Sequence, residues 1–68
     1  MRYLVILEKG ESSFGAYVPD LPGCAVVAET REEALTLIRE AIALHVGSLR
    51  EDGASVPEPI STTEFVQV

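Results

Sequence analysis

The eight-residue segment Tyr17–Cys24 constrains the fold of this chain more than any other, because it holds two prolines and a glycine. Pro19 and Pro22 each fix φ, lack an N–H donor and push the preceding residue toward extended geometry. Gly23 tolerates the positive φ that a tight reversal needs. We therefore predict a rigid corner that ends one β-strand and begins the next.

Three segments around this corner have the composition of β-strands. Arg2–Glu8 is a nearly continuous run of apolar and β-branched residues, typical of a strand covered on both faces. The polar segment Lys9–Ser13 predicts a turn, and Phe14–Val18 a second strand. Cys24–Glu29 follows the corner as a third strand. Because the connections are short, we expect an antiparallel meander.

A long helix is predicted after the third strand. Thr30 and Glu33 have the spacing of a capping box, in which the Thr30 hydroxyl accepts a hydrogen bond from the Glu33 amide. We expect the helix to run to about Asp52 and to stop at Gly53, a common left-handed C-terminal residue. Beyond an extended connector, alternating residues predict a final strand at Thr62–Val68.

The predicted fold is a single α+β domain over residues 1–68 with the order β-β-β-α-β. The helix has an apolar face wider than one small sheet needs to cover it. That face consists of Ala34, Leu35, Ile38, Ala41, Ile42, His45, Val46 and Leu49, with Leu37 and Leu44 widening it. Because a chain of 68 residues has little other surface to cover this face, we expect a homodimer or a dimer of dimers.

The charge composition indicates what kind of partner this chain binds. Five Lys and Arg against eleven Asp and Glu give a net charge of −6. This excess disfavours direct binding to nucleic acid and favours a basic protein, although acidity also serves solubility alone. No secretory leader or membrane-spanning run is recognisable, so we expect a cytoplasmic protein.

Few residues are suited to chemistry, and we predict neither enzymatic activity nor a cofactor. His45 lies on the apolar helix face, and Cys24 has apolar neighbours, so both are expected to pack. Glu8, Asp20 and Glu29 lie at predicted strand ends, where acids could hold Mg²⁺ for phosphoryl chemistry. Such sites usually draw acids from strand interiors, which are apolar here. A residual metal-dependent nuclease is thus a minor alternative.

Four segments of the chain are similar to those of a known protein family. They are the corner Tyr17–Cys24, the helix start Thr30–Leu35, the helix end Leu49–Gly53 and Pro57–Pro59. Together they resemble HicB-type antitoxins of bacterial toxin–antitoxin pairs. The resemblance implies a degenerate ribonuclease H-like domain without the nuclease carboxylates. It also implies binding to a small basic HicA-type toxin that cleaves messenger RNA, with the toxin's active and RNA-binding surface masked. Many such antitoxins carry a C-terminal DNA-binding module. Too few residues follow Val56 for one here, so a solitary N-terminal domain is expected.

The contact residues expected for such a toxin are acidic side chains with two apolar anchors. The acids are Glu8, Glu11, Asp20 and Glu29, and the anchors are Tyr17 and Leu21. The alternative to an antitoxin is an orphan oligomeric scaffold that binds no toxin.

Overall fold

The computed structural model describes residues Met1–Val68 and contains three β-strands followed by one α-helix. The strands are β1 (Ile6–Lys9), β2 (Phe14–Tyr17) and β3 (Ala25–Ala28), and the helix is α1 (Arg31–Glu51). The strands form an antiparallel sheet in the order β1-β2-β3. The predicted meander followed by one long helix is confirmed. The helix lacks the apolar stretch that a membrane span would need.

The corner consists of two consecutive hydrogen-bonded turns. The Leu21 amide donates to the Val18 carbonyl, and the Cys24 amide donates to the Leu21 carbonyl, both at 3.1 Å. Each proline occupies the second position of its turn, where its fixed φ is favourable. Gly23 occupies the third position of the second turn with φ 83°, the geometry that a type II turn requires. The Val18 amide donates to the Cys24 carbonyl and closes the corner at 3.1 Å.

The first strand is shorter than predicted. It begins at Ile6, and residues 2–5 are not part of the ladder. Its partner β2 ends at Tyr17, opposite Ile6, because the chain then enters the corner, where Pro19 has no N–H to offer. Residues 2–5 therefore have the apolar composition of a strand but do not pair with a neighbouring strand.

The core lies between one face of the sheet and the helix. Its buried residues are Ala16, Val18, Leu21, Cys24, Ala28, Ala34, Ile38 and Val46. Leu21 and Ile38 are the largest fully buried side chains, and Leu21 is 0% exposed. This burial corrects the expectation that Leu21 is an apolar anchor for a partner, because its side chain offers no surface.

The helix begins and ends as predicted. Thr30 has extended backbone geometry, and its hydroxyl accepts a hydrogen bond from the Glu33 amide at 3.1 Å. At the other end Gly53 adopts φ 71°, and its amide donates to the Arg50 carbonyl at 3.1 Å. Leu37 and Leu44 are exposed, because the three-stranded sheet is too narrow to reach the margins of the apolar face.

Residues 62–68 form no strand in the single chain, so the predicted final strand is absent from this structure. All seven are exposed, among them Phe65, Val66 and Val68. The segment has the alternating pattern of a strand, but a strand requires a hydrogen-bonded neighbour. Its first residues lie near Arg2–Leu4 and form no ladder with them.

Candidate functional site

The sheet has one face that the helix leaves uncovered. Cross-strand neighbours share a face, and the register aligns Ile6, Tyr17 and Ala25 in one row. The next row on this face consists of Glu8, Gly15 and Val27. We call these six residues the open face. The intervening rows contain buried Ala16 and Ala28 and point toward α1.

The open face is largely apolar and accessible. Val27 is 71% exposed, and Tyr17 and Ala25 are also exposed. Ile6 and Gly15 are half-buried. Aromatic and aliphatic side chains grouped on an exposed surface are typical of a protein-binding site. Tyr17, predicted as an anchor, thus lies where a partner can reach it.

Acidic side chains gather at one end of the sheet. Lys9, Phe14 and Ala28 are aligned in the register, so the β1–β2 turn and the end of β3 lie together. Exposed side chains at or near this end, which we call the acidic end, are Glu8, Glu11, Glu29, Glu32 and Glu33. Lys9 and Arg31 are the basic residues there, so negative charge predominates. Three of the four predicted acidic contacts are therefore brought together.

Asp20 lies at the opposite end, in the corner, and its carboxylate is already engaged. Oδ2 accepts a hydrogen bond from the Ser61 amide at 2.9 Å, and Oδ1 accepts one from the Ser61 hydroxyl at 2.7 Å. These bonds, the backbone one first, hold the pKa of Asp20 below its ordinary value. Asp20 therefore fixes the segment around Ser61 to the corner.

The same separation bears on the metal-dependent alternative. Asp20 is at the corner end of the sheet, whereas Glu8 and Glu29 are near the acidic end, so the three carboxylates do not converge on one point. No group of three His, Cys, Asp or Glu side chains is placed to hold a metal ion. Cys24 is buried, and desolvation raises the pKa of its thiol, which keeps it protonated and unreactive.

Sequence reasoning misses the aliphatic part of the open face. Every residue of β3 is alanine or valine, so alternation does not show which side chains point outward. The cross-strand register with Tyr17 and Gly15 is the information that assigns Ala25 and Val27 to the open face. The sequence identifies Glu32 and Glu33 only as helix-start residues, although they add to the acidic end.

One family of known proteins matches nearly the whole chain. The family model described as HicB_like antitoxin of bacterial toxin-antitoxin system matches residues 3–68. Antitoxin HicB 2 of Photorhabdus laumondii is 35% identical over 69 residues, covering 100% of this chain and 50% of that protein. The chain thus spans half the length of the longer relatives that it matches.

Two solved structures share the fold. The N-terminal domain of Burkholderia pseudomallei antitoxin HicB has a TM-score of 0.76 and 39% identity, covering 85% of this chain and 69% of that one. A chain in a HicA3 and HicB3 toxin–antitoxin complex has a TM-score of 0.73 and 28% identity, covering 88% and 70%. The chain therefore belongs to the HicB-like antitoxin family of bacterial toxin–antitoxin systems.

Proposed function

We propose that this chain neutralises a small basic HicA-type toxin in the bacterial cytoplasm by covering its active and RNA-binding surface. The observation that carries this proposal is the open face with the acidic end beside it, in a chain similar to one found in a toxin–antitoxin complex. The role requires binding alone, and no catalytic step is assigned to this chain.

The apolar part of the open face supplies the affinity in this proposal. Tyr17 and Val27 are exposed in adjacent rows of the face, and a partner that covers them removes both from water. Aromatic residues near the centre of an interface often dominate its binding free energy. Leu21 is excluded from the contact because it is buried. Asp20 accepts one hydrogen bond on each carboxylate oxygen from Ser61 and lies at the corner, away from the other three acids, so it is not part of the proposed contact surface.

The acidic end supplies steering and selectivity. Glu8, Glu11 and Glu29 are exposed and free to face the Lys and Arg side chains that an RNA-cleaving protein uses against phosphates. Opposite charges accelerate encounter and set the orientation of the two proteins. A surface that binds the toxin's RNA site in this way competes directly with RNA.

An RNA-cleavage assay with the purified HicA-type partner tests the proposal. The wild-type chain is expected to stop cleavage at a ratio near equimolar. Val27→Asp places a charge in the open face and is expected to weaken inhibition by at least about tenfold. Leu44→Asp is the matched control, since Leu44 is 75% exposed on the helix, and it should inhibit like wild type.

Three outcomes would contradict the proposal. If Val27→Asp inhibits as well as the wild type, the open face is not the contact surface. If the wild-type chain binds the toxin but cleavage continues, masking is wrong. Failure to bind any HicA-type protein would favour the orphan scaffold.

A further inference from the structure

The free edge of β1 is unpaired and lies beside a groove. β1 is an outer strand of the sheet, so it has a hydrogen-bonded neighbour on one side only. Between the residues before β1 and the helix lies a groove of about 440 Å³. Its apolar lining comes from Met1, Tyr3 and Val5 on one wall and Leu35, Ile38 and Ile42 on the other. A fourth strand beside β1 would have one face directed into this groove.

Residues 62–68 have the pattern of the missing strand. In an extended strand, one face would carry Thr63, Phe65 and Gln67. The opposite face would carry Glu64, Val66 and Val68. Phe65 is 99% exposed, and nothing in its own chain covers it. β-branched and aromatic residues favour strands when a partner is available. The segment and the outer edge of β1 thus both lack a hydrogen-bonded strand neighbour.

Charge distinguishes this groove from the rest of the surface. Arg2 and Arg39 line it and are two of the five basic residues in a chain of net charge −6. Residues 62–68 contain Glu64 and no Lys or Arg. Most of the protein would repel this acidic segment, whereas the groove attracts it. This complementarity favours the β1 edge over the free edge of β3 as the place where the segment docks.

We propose that residues 62–68 of one copy pair along the free edge of β1 of a second copy and insert Phe65 into its groove, in a reciprocal exchange. Residues 2–5, apolar but without a ladder, then gain the strand neighbour that their composition indicates. Strand addition to an exposed edge satisfies backbone groups and buries alternate side chains. In a two-fold symmetric dimer, the free β1 edge of each copy pairs with the segment of the other copy.

A second copy is favoured over the chain's own groove because the single chain leaves Phe65 exposed. Asp20 holds Ser61 at the corner, and the residues that follow are exposed. Thr62 and Thr63 lie near Arg2–Leu4 of the same chain, where they line a small pocket together. Phe65 is nevertheless 99% exposed, so the chain does not fill its own groove. This exchange goes beyond the proposed antitoxin function, and it leaves the open face free.

Light scattering coupled to size exclusion tests the exchange without any toxin. We expect the full chain to be a dimer at micromolar concentration, and Phe65→Asp to raise the dimer dissociation constant by at least about tenfold. Because Phe65 is exposed, this substitution should leave the circular dichroism of the monomer unchanged. Leu44→Asp, a matched change on the helix, should leave the dimer intact.

Isotope-filtered NMR on a mixture of labelled and unlabelled chains identifies the contact itself. We expect intermolecular contacts between the Phe65 ring and the methyl groups of Leu35 and Ile42, which line the groove and are only half-buried. A monomer at all concentrations would overturn the proposal. So would contacts found only within one chain, or a dimer that Leu44→Asp breaks and Phe65→Asp does not.

Discussion

The Asp20 carboxylate accepts two hydrogen bonds from Ser61, one from its amide at 2.9 Å and one from its hydroxyl at 2.7 Å. This clamp joins the corner to a residue 41 positions later in the chain. It is reinforced nearby by the Tyr3 hydroxyl, which donates to the Pro57 carbonyl. The residue that precedes the segment 62–68 is therefore held at the corner.

The clamp predicts a pH dependence. Hydrogen bonds from Ser61 stabilise the ionised carboxylate and lower the folded-state pKa of Asp20 below its ordinary 3.8. A carboxyl lowered in this way contributes stability that is fully present above its unfolded pKa and is lost as the pH falls through the lower folded pKa. The clamp should thus persist at neutral pH and weaken only in acid below 3.8.

An NMR titration of the Asp20 carboxyl carbon measures this pKa directly. The Ser61 amide shift should move with the same midpoint, because that amide is the donor. Ser61→Ala removes the hydroxyl donor and is expected to raise the Asp20 pKa toward 3.8, while Thr63→Ala serves as the control. An Asp20 midpoint at or above 3.8 in the wild type would show that the clamp does not form in solution.

Leu21 is predicted to be a core residue with no binding role of its own. It is fully buried, so Leu21→Ala removes apolar contacts and leaves a cavity. The expected loss in free energy of unfolding is about 2–5 kcal/mol. Leu44→Ala, at an exposed leucine, should change it by less than about 0.5 kcal/mol. Urea unfolding at one fixed protein concentration measures the free energy of unfolding of both variants. Similar losses of this free energy in the two variants would place Leu21 outside the core.

Two glycines should respond to alanine with opposite signs. Gly23 has φ 83° and no atom within 4 Å of the position that a Cβ would take, so Gly23→Ala meets no clash but strains the backbone. We expect it to destabilise the fold by about 1–2 kcal/mol. Gly47 lies inside α1 with equally open space, and Gly47→Ala should stabilise by about 0.5–1 kcal/mol. Thermal unfolding of both variants measures these changes in stability, and a stabilising Gly23→Ala would refute the type II turn.

Features set by neighbouring residues can be predicted from the sequence. The corner is encoded by Pro19, Pro22 and Gly23, whose conformational limits are intrinsic to each residue. The Thr30 cap acts within one helical turn. These local signals locate the corner, the three strands and the helix.

Features that depend on distant partners cannot be predicted in this way. A strand pattern does not reveal whether a neighbour exists, so the sequence predicts a longer β1 than the structure has and a strand at residues 62–68 that the single chain lacks. The Asp20–Ser61 pair spans 41 positions, and no local pattern indicates it. For the same reason Leu21, which lies in the corner between Asp20 and Pro22, gives no sign in the sequence that it is buried.

Association kinetics with the purified HicA-type partner test most directly whether the open face and the acidic end bind a basic toxin. The variant Glu8→Lys, Glu11→Lys, Glu29→Lys should associate at least about tenfold more slowly and lose most of its salt dependence. The control Glu40→Lys, Glu51→Lys, Glu58→Lys makes the same charge change at exposed positions elsewhere.

We expect the control to retain most of the wild-type association rate and its salt dependence. Equal slowing by both triple variants would mean that only net charge matters, and unchanged kinetics in the first variant would remove the acidic end from the interface. Either result would contradict the proposed site.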